Sequence, residues 1–254
     1  MSLPRRNARH AAGGLTAAPR RPTVWVVMRT IGVAVGLGVA LVVGPFSVAA
    51  STLLDYVTFD GIDYIRWAEE PGRELGREDL GPEFAVVECS FGEDLRGCPY
   101  GVDASAAFLP AGTRMYAVRG HATTFRLAAV WRDRIFLYQA WRNPRAKVAT
   151  DLYDIADKVR GIDVRRGEPP LAAGRAPAAI TAPRDREALV EMIARGTARR
   201  PQAHEAGEPR YWLTFWLSDG TTLSRVYFRE THELMGGVVV SGDFTRIIER
   251  YLGE

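Results

Sequence analysis

Short runs of alternating apolar and polar residues dominate positions 55–145. The runs 56–59 and 62–65 flank Asp60-Gly61, a two-residue pair that favours a tight hairpin. Further strands are predicted at 84–89, 114–119, 125–131 and 135–138. Around 125–131, Phe125, Leu127, Ala129 and Trp131 alternate with Arg126, Ala128, Val130 and Arg132, the period-2 pattern of a strand. Such closely spaced short strands predict an antiparallel sandwich or small barrel over residues 55–167.

The period then changes. Leu152, Ile155, Ala156 and Val159 fall at i, i+3, i+4 and i+7, which predicts a helix with Thr150 or Asp151 as its cap and Gly161 just past its end. Residues 168–178, rich in Pro, Ala and Gly, are the expected linker. Beyond it come a helix over 186–195, a second Asp-Gly hairpin joining 211–217 to 222–228, a strand at 238–240, and a closing helix over 244–252 with Asp243 as a cap. Residues 179–254 therefore read as a small α+β domain.

A different pattern lies upstream. Residues 30–54 run for 25 positions without a charge, long enough to cross a bilayer as a helix. The six arginines of residues 1–54 all precede this run, and the first acid, Asp55, follows it. The positive-inside rule places a basic, disordered tail (1–29) in the cytoplasm and the body outside. A cleaved signal peptide is the competing reading: the apolar core would be 30–43, broken by Gly44-Pro45, with small residues at Ser47 and Ala49 or at Val48 and Ala50. Cleavage near Ala49 would make the body a secreted protein. Gly32, Gly36, Ala40 and Gly44 form a small-residue ridge suited to a homodimer of membrane helices, although such residues are common in any anchor. The expected architecture is thus a membrane-anchored α+β protein: a transmembrane helix, a β-rich sandwich or small-barrel domain, then a small α+β domain.

Composition adjusts this picture. The chain is 47% hydrophobic, so it has the material for a packed core. Of 33 basic residues, six lie in the first 54, leaving 27 against 30 acids in the body. The body is therefore not a basic nucleic-acid binder. Cys89 and Cys98, nine positions apart across a Gly/Pro loop, read as a disulfide in an exported protein.

The strings TFDGIDYI (58–65), RELGREDLG (73–81), AAFLPAGTRMYAVRG (106–120), FRLAA, DRIFLY and NPRAKVATDLYDI (143–155) resemble a group of uncharacterised exported or membrane-anchored bacterial envelope proteins. The resemblance covers about residues 55–165, with a weaker likeness in SDGTTLSRVYF (218–228). It implies a β-rich envelope protein and carries no reaction or catalytic residue. The first Cys of this chain is Cys89, so the lipid-bearing Cys of anchored relatives has no counterpart here.

Motifs for chemistry are sparse, and no cofactor or metal is expected. His204 and Glu205 start like a zinc-protease helix, but Gly207 and Pro209 interrupt it and the second His is missing. These residues, and His232-Glu233, read as solvated loops. Asp151, Asp154 and Asp157 would share one solvated helix face. No nucleophile elbow or Ser-x-x-Lys pair occurs. Asp103, Ser105 and His121 are the remaining set for a hydrolase.

The second hairpin is the sharpest feature. With Asp219-Gly220 as a two-residue loop, Trp216 faces Leu223, Thr214 faces Arg225 and Trp212 faces Tyr227. Trp212, Trp216, Arg225 and Tyr227 then share one face, suited to an envelope glycan or protein partner. The other reading docks this face on the rest of the body. The expected function is a non-enzymatic, single-pass envelope protein that binds an envelope component; the alternative is an extracytoplasmic hydrolase.

Overall fold

The computed structural model describes residues 54–67, 70–94, 97–167, 176–205 and 207–253. The described residues are β-rich, with two sheets and two α-helices, and those within 50–254 form one compact unit. The first sheet contains β1 (Asp55–Phe59), β2 (Ile62–Arg66), β3 (Leu80–Val86), β4 (Cys89–Ser90), β5 (Ser105–Ala106), β6 (Arg114–Val118), β7 (Arg126–Trp131) and β8 (Arg134–Arg142). Its order is β3-β6-β7-β8-β2-β1-β5-β4, antiparallel except for the β4–β5 pair. The second contains β9 (Val159–Arg166), β10 (Ala178–Ala179), β11 (Thr197–Ala198), β12 (Arg210–Leu217), β13 (Thr222–Phe228), β14 (Glu233–Leu234) and β15 (Val238–Val239). Its order is β10-β9-β12-β13-β14-β15-β11.

Turn chemistry sets the first sheet. Asp60 and Gly61 both have positive φ, 52° and 69°, and Phe59 pairs with Ile62, as a two-residue hairpin requires. Arg132 and Asp133 turn β7 into β8 the same way, although neither is Gly. Alternation then sends Val57, Phe59, Ile62 and Tyr64 into the main core. Tyr56 and Ile65 point to the opposite face, where Leu54, Trp67 and Trp141 pack on them.

The main core is continuous between the sheets. Val57, Leu127 and Tyr138 of the first share it with Ile162, Leu213, Phe215 and Tyr227 of the second, and Phe125, just before β7, joins them. Helix α1 (Pro183–Ala194) adds Leu189 and Ile193, and α2 (Gly242–Leu252) adds Phe244 and Ile248. Both helices match expectation closely. Pro183 opens α1, and Gly253 at φ 74° closes α2. The N-cap of α2 is Ser241, while Asp243 pairs with Arg246 inside the first turn.

Three local expectations change. The helix expected at 152–159 is absent: Asp151 accepts from the backbone N–H groups of Lys147 and Val148, which fixes a short 3-10 turn. Leu152, Tyr153 and Ile155 are buried from irregular backbone, and β9 begins at Val159. Spacing alone did not separate a helix from such a buried segment. Residues 159–166, where no strand was expected, form β9, which hydrogen-bonds to β12 in the second sheet. Of the expected linker, 168–175 lie outside the described residues, and Ala178 already pairs with Val164.

The tail 1–29, the uncharged run apart from Leu54, and the Gly32/Gly36/Ala40/Gly44 ridge lie outside the described residues. Among the described residues, no helix is long and apolar enough to cross a membrane.

Candidate functional site

The β12–β13 hairpin turns through three residues, not two. Leu217 N–H donates to Thr221 O at 2.9 Å, and Gly220, at φ 82°, closes the loop Ser218-Asp219-Gly220. Trp212 therefore pairs with Val226, and Leu213 with Arg225. A one-residue slip moves every side chain of one strand to the other face. Arg225 and Tyr227 join Tyr211, Leu213 and Phe215, whereas Val226 and Phe228 join Trp212. The expected four-residue face is not formed.

Those residues are also largely covered. Trp212 is 5% exposed, and Arg225 and Tyr227 are 0% exposed. Trp67, just beyond β2, meets Trp212 edge-on at 5.2 Å. Trp216 is half-buried over Gly161, and its Nε1 donates to Asp163 at 2.8 Å. Tyr227 Oη contacts His232 Nδ1 and Thr245 Oγ1.

The hairpin tip enters a polar joint with the first sheet. Arg126, 0% exposed, donates from Nη1 to Thr221 Oγ1 at 2.7 Å and from Nη2 to Thr222 O at 2.6 Å. The face of β7 that carries Arg126 is covered by the hairpin. Burial lowers the Arg126 pKa to about 10, against the pull of Asp219 and Glu70, so it remains charged at neutral pH. Arg73 N–H donates to Gly220 O at 2.8 Å and Arg73 Nε to Asp219 O at 2.9 Å, while its two Nη atoms grip Asp79.

Asp219 is the acidic centre of this joint. It accepts from Thr221 N–H and Oγ1 and meets His121 Nε2 at 2.9 Å. Burial pushes its pKa up, but His121, Thr221 and Arg126 outweigh that and hold it well below the carboxylate range. Asp154, bonded to Ala122 N–H and Lys158, lies 3.8 Å from His121 Nδ1.

Beside the joint, Gln139 Nε2 donates to Thr222 O at 2.7 Å and to Glu70 Oε2 at 3.1 Å. Gln139 Oε1 accepts from Arg225 Nη1, and Arg225 Nη2 donates to Ala140 O. Glu70 Oε1 is shielded from solvent and lacks a well-aligned hydrogen bond, although the Ser224 N–H and hydroxyl act on the carboxyl; Arg126 Nε and Arg225 Nε are buried without a partner. Burial raises the Glu70 pKa to about 7, with Arg225, Arg126 and Ser224 pulling it down.

Glu70 lines a cleft of about 140 Å³ together with Arg66, Trp67, Arg134, Phe136 and Thr222. The guanidinium carbons of Arg66 and Arg134 lie 5.0 and 5.1 Å from the centroid of the same Phe136 ring. Arg66 uses Nε to pair with Asp55 at 2.6 Å. A carboxyl that titrates near neutrality at the edge of a cleft marks a candidate functional site. Glu70 belongs to no motif in the sequence: it stands just before Pro71-Gly72, outside every expected element.

The other expected groups are dispersed. Ser105 is buried in β5 against β1 and β4, and Asp103 accepts from Gly61 N–H, while His121 engages Asp219. Among the described residues no hydrogen bond joins His121 to Ser105 or Asp103. Cys89 and Cys98 form the expected disulfide. His204 and Glu233 are packed, not solvated: His204 stacks on Phe228 at 3.3 Å and bonds Glu208, and Glu233 binds Arg199. Among the described residues no group of His, Cys, Asp and Glu is arranged to hold a metal ion. Comparison of the chain with protein-family models, with curated proteins and with solved structures finds no match.

Proposed function

We infer that the protein is a single-pass bacterial envelope protein, anchored by residues 30–54, whose extracytoplasmic body binds an envelope component without catalysing a reaction. The binding place in this reading is the Glu70 cleft, since Trp212, Arg225 and Tyr227 are occupied in packing. The observation that carries the reading is the solvent-shielded Glu70 carboxyl at a cleft lined by Arg66 and Arg134. Burying an ionisable carboxyl costs stability, so its retention favours a use. The Cys89–Cys98 disulfide supports an oxidising compartment outside the cytoplasm. The dispersed placement of Asp103, Ser105 and His121 gives the hydrolase reading no support.

Fractionation of cells with intact-mass analysis tests the location. A full-length chain in carbonate-washed membranes, with the body open to protease added outside the cytoplasmic membrane, is the expected result. A chain that remains in the cytosolic fraction would end the envelope reading.

A further inference from the structure

The cleft is small. At roughly 30 Å³ per water, 140 Å³ holds the volume of four or five waters, well short of the 300 Å³ or more of an ordinary small-molecule site. A ligand can place one compact group there, with any larger remainder outside. The polarity of the walls selects the group. Arg66, Arg73 and Arg134 contribute three guanidiniums, against the carboxylates of Glu70 and Glu74. Arg73 is committed to Asp79, Asp219 and Glu74 through its three nitrogens. Arg66 meets Asp55 through Nε, and Arg134 is exposed at the start of β8. Both are held over one face-forming ring, Phe136, which limits their freedom before any ligand arrives.

We propose that this cleft is an oxyanion site, in which Arg66 and Arg134 together receive one phosphate, sulfate or carboxylate group over Phe136. Guanidinium N–H groups match such oxygens in geometry and charge. The inference rests on the reading of the cleft as the ligand site and adds the ligand class.

Glu70 makes the site sensitive to protons. Its carboxyl faces Arg225 and Ser224 of β13, Arg126 of β7, and Gln139 of β8. Around Arg126 stand His121, Asp219 and Asp154, and toward the cleft stand Arg66, Arg73, Arg134 and Glu74. Ionised Glu70 repels an arriving anion, and the neutral acid does not. Binding therefore strengthens as pH falls from 8 to 6.

The test is calorimetric titration of the full-length protein in detergent with sodium sulfate, which does not itself titrate between pH 6 and 8, at constant ionic strength. Saturable binding, several-fold tighter at pH 6, is expected. Glu70→Gln should bind at pH 8 as the parent binds at pH 6 and lose the pH dependence; His121 remains in that variant, so the loss assigns the effect to Glu70. Arg134→Gln, at an exposed position, should weaken binding about tenfold with its melting temperature unchanged. Glycerol 3-phosphate binding more tightly than sulfate at pH 8 would place the oxyanion on a lipid or polymer; equal binding would point to the free ion. Absence of saturable binding, or Arg134→Gln binding like the parent, overturns the proposal. Sulfate binding by a chain that fails the fractionation test would leave the oxyanion site standing and remove only the envelope reading.

Discussion

Arg126 Nη1 donates to Thr221 Oγ1 across 95 positions of sequence, and this 2.7 Å bond fastens the hairpin tip of the second sheet to β7 of the first. The same guanidinium reaches Thr222 O and lies 3.6 Å from Asp219. A buried charge is tolerated here because its Nη atoms meet oxygens in fixed positions. Arg126→Met removes the charge but strands Asp219, Thr221 and Thr222 O with fewer donors. The variant should lose about 3 kcal/mol in urea unfolding. Arg126→Lys should recover less than half of that, since an ammonium does not reproduce the two-pronged contact. A loss below about 1 kcal/mol for the Met variant would mean that the joint is incidental to stability.

Asp219 predicts the shape of the acid limb. Its folded pKa lies below the unfolded value of 3.8, so its contribution is complete above that pH and disappears as protons bind at lower pH. Asp219→Asn should be less stable than the parent at pH 6. It should also show a shallower fall in stability below pH 3.8, while the remaining depressed carboxylates, Asp79, Asp154 and Glu249, preserve part of the slope. Parallel stability curves for parent and variant across pH 2–6 would contradict this assignment.

Glu70 acts with the opposite sign. Its folded pKa, about 7, exceeds the ordinary 4.5, so the folded state holds a proton that the unfolded chain releases. Its contribution is complete below pH 4.5 and is lost as the pH rises through 7. Glu70→Gln keeps the shape without the ionisation. It should match the parent near pH 4.5 and exceed it at pH 8 by on the order of 3 kcal/mol. Equal stability at pH 8, read from urea titrations, would show that the carboxyl is not forced toward its neutral form.

Much of this architecture is legible in the chain, and the failures have identifiable causes. Asp60-Gly61 gave the first hairpin its register because both residues adopt positive φ. Asp219-Gly220 looks the same in sequence, yet Ser218 joins the loop and only Gly220 is left-handed. Nothing local distinguishes the two, because the second loop is held from outside by Arg73, Arg126 and His121. The extra residue reverses the faces of Arg225 and Tyr227. A pattern within one strand likewise does not reveal that another sheet covers one of its faces, as the hairpin covers Arg126 of β7. The Glu70 cleft was missed for a related reason: its parts come from Arg66, Trp67 and residues 70–75, from β8 and from the hairpin, which only the tertiary fold assembles.

The corrected register changes what Trp212 is for. Its indole packs with Trp67, Val226, Phe228 and Met235. Trp212→Ala should therefore cost about 3–5 kcal/mol, the range for deleting a large buried aromatic. Trp216→Ala should cost less, since that ring is half-buried, though it strands Asp163 without its Nε1 donor. Chemical denaturation of both variants checks the ranking. A folded Trp212→Ala protein of parental stability would return this residue to the surface and reopen a binding role for it.

The disulfide makes a separate prediction, because it closes a short loop beside β1 and not the joint. Cys89 lies in β4, and Tyr100, just past Cys98, packs edge-on against Tyr56 at 4.6 Å. In the chain-entropy account, closing a loop of about ten residues stabilises by about 2.5–3 kcal/mol. For a body of this size that corresponds to about 5–10 °C in melting temperature. A Cys89→Ala, Cys98→Ala double variant should melt lower by that amount, and the parent in dithiothreitol should fall to nearly the same temperature. Reductant should leave the variant unmoved, since the chain has no other cysteine. Because the loop lies apart from the joint, the double variant should also add to Arg126→Met without coupling, within about 0.5 kcal/mol. A larger interaction energy would mean that the β4–β5 edge and the hairpin joint unfold as one element, which the separate contacts of the two regions argue against.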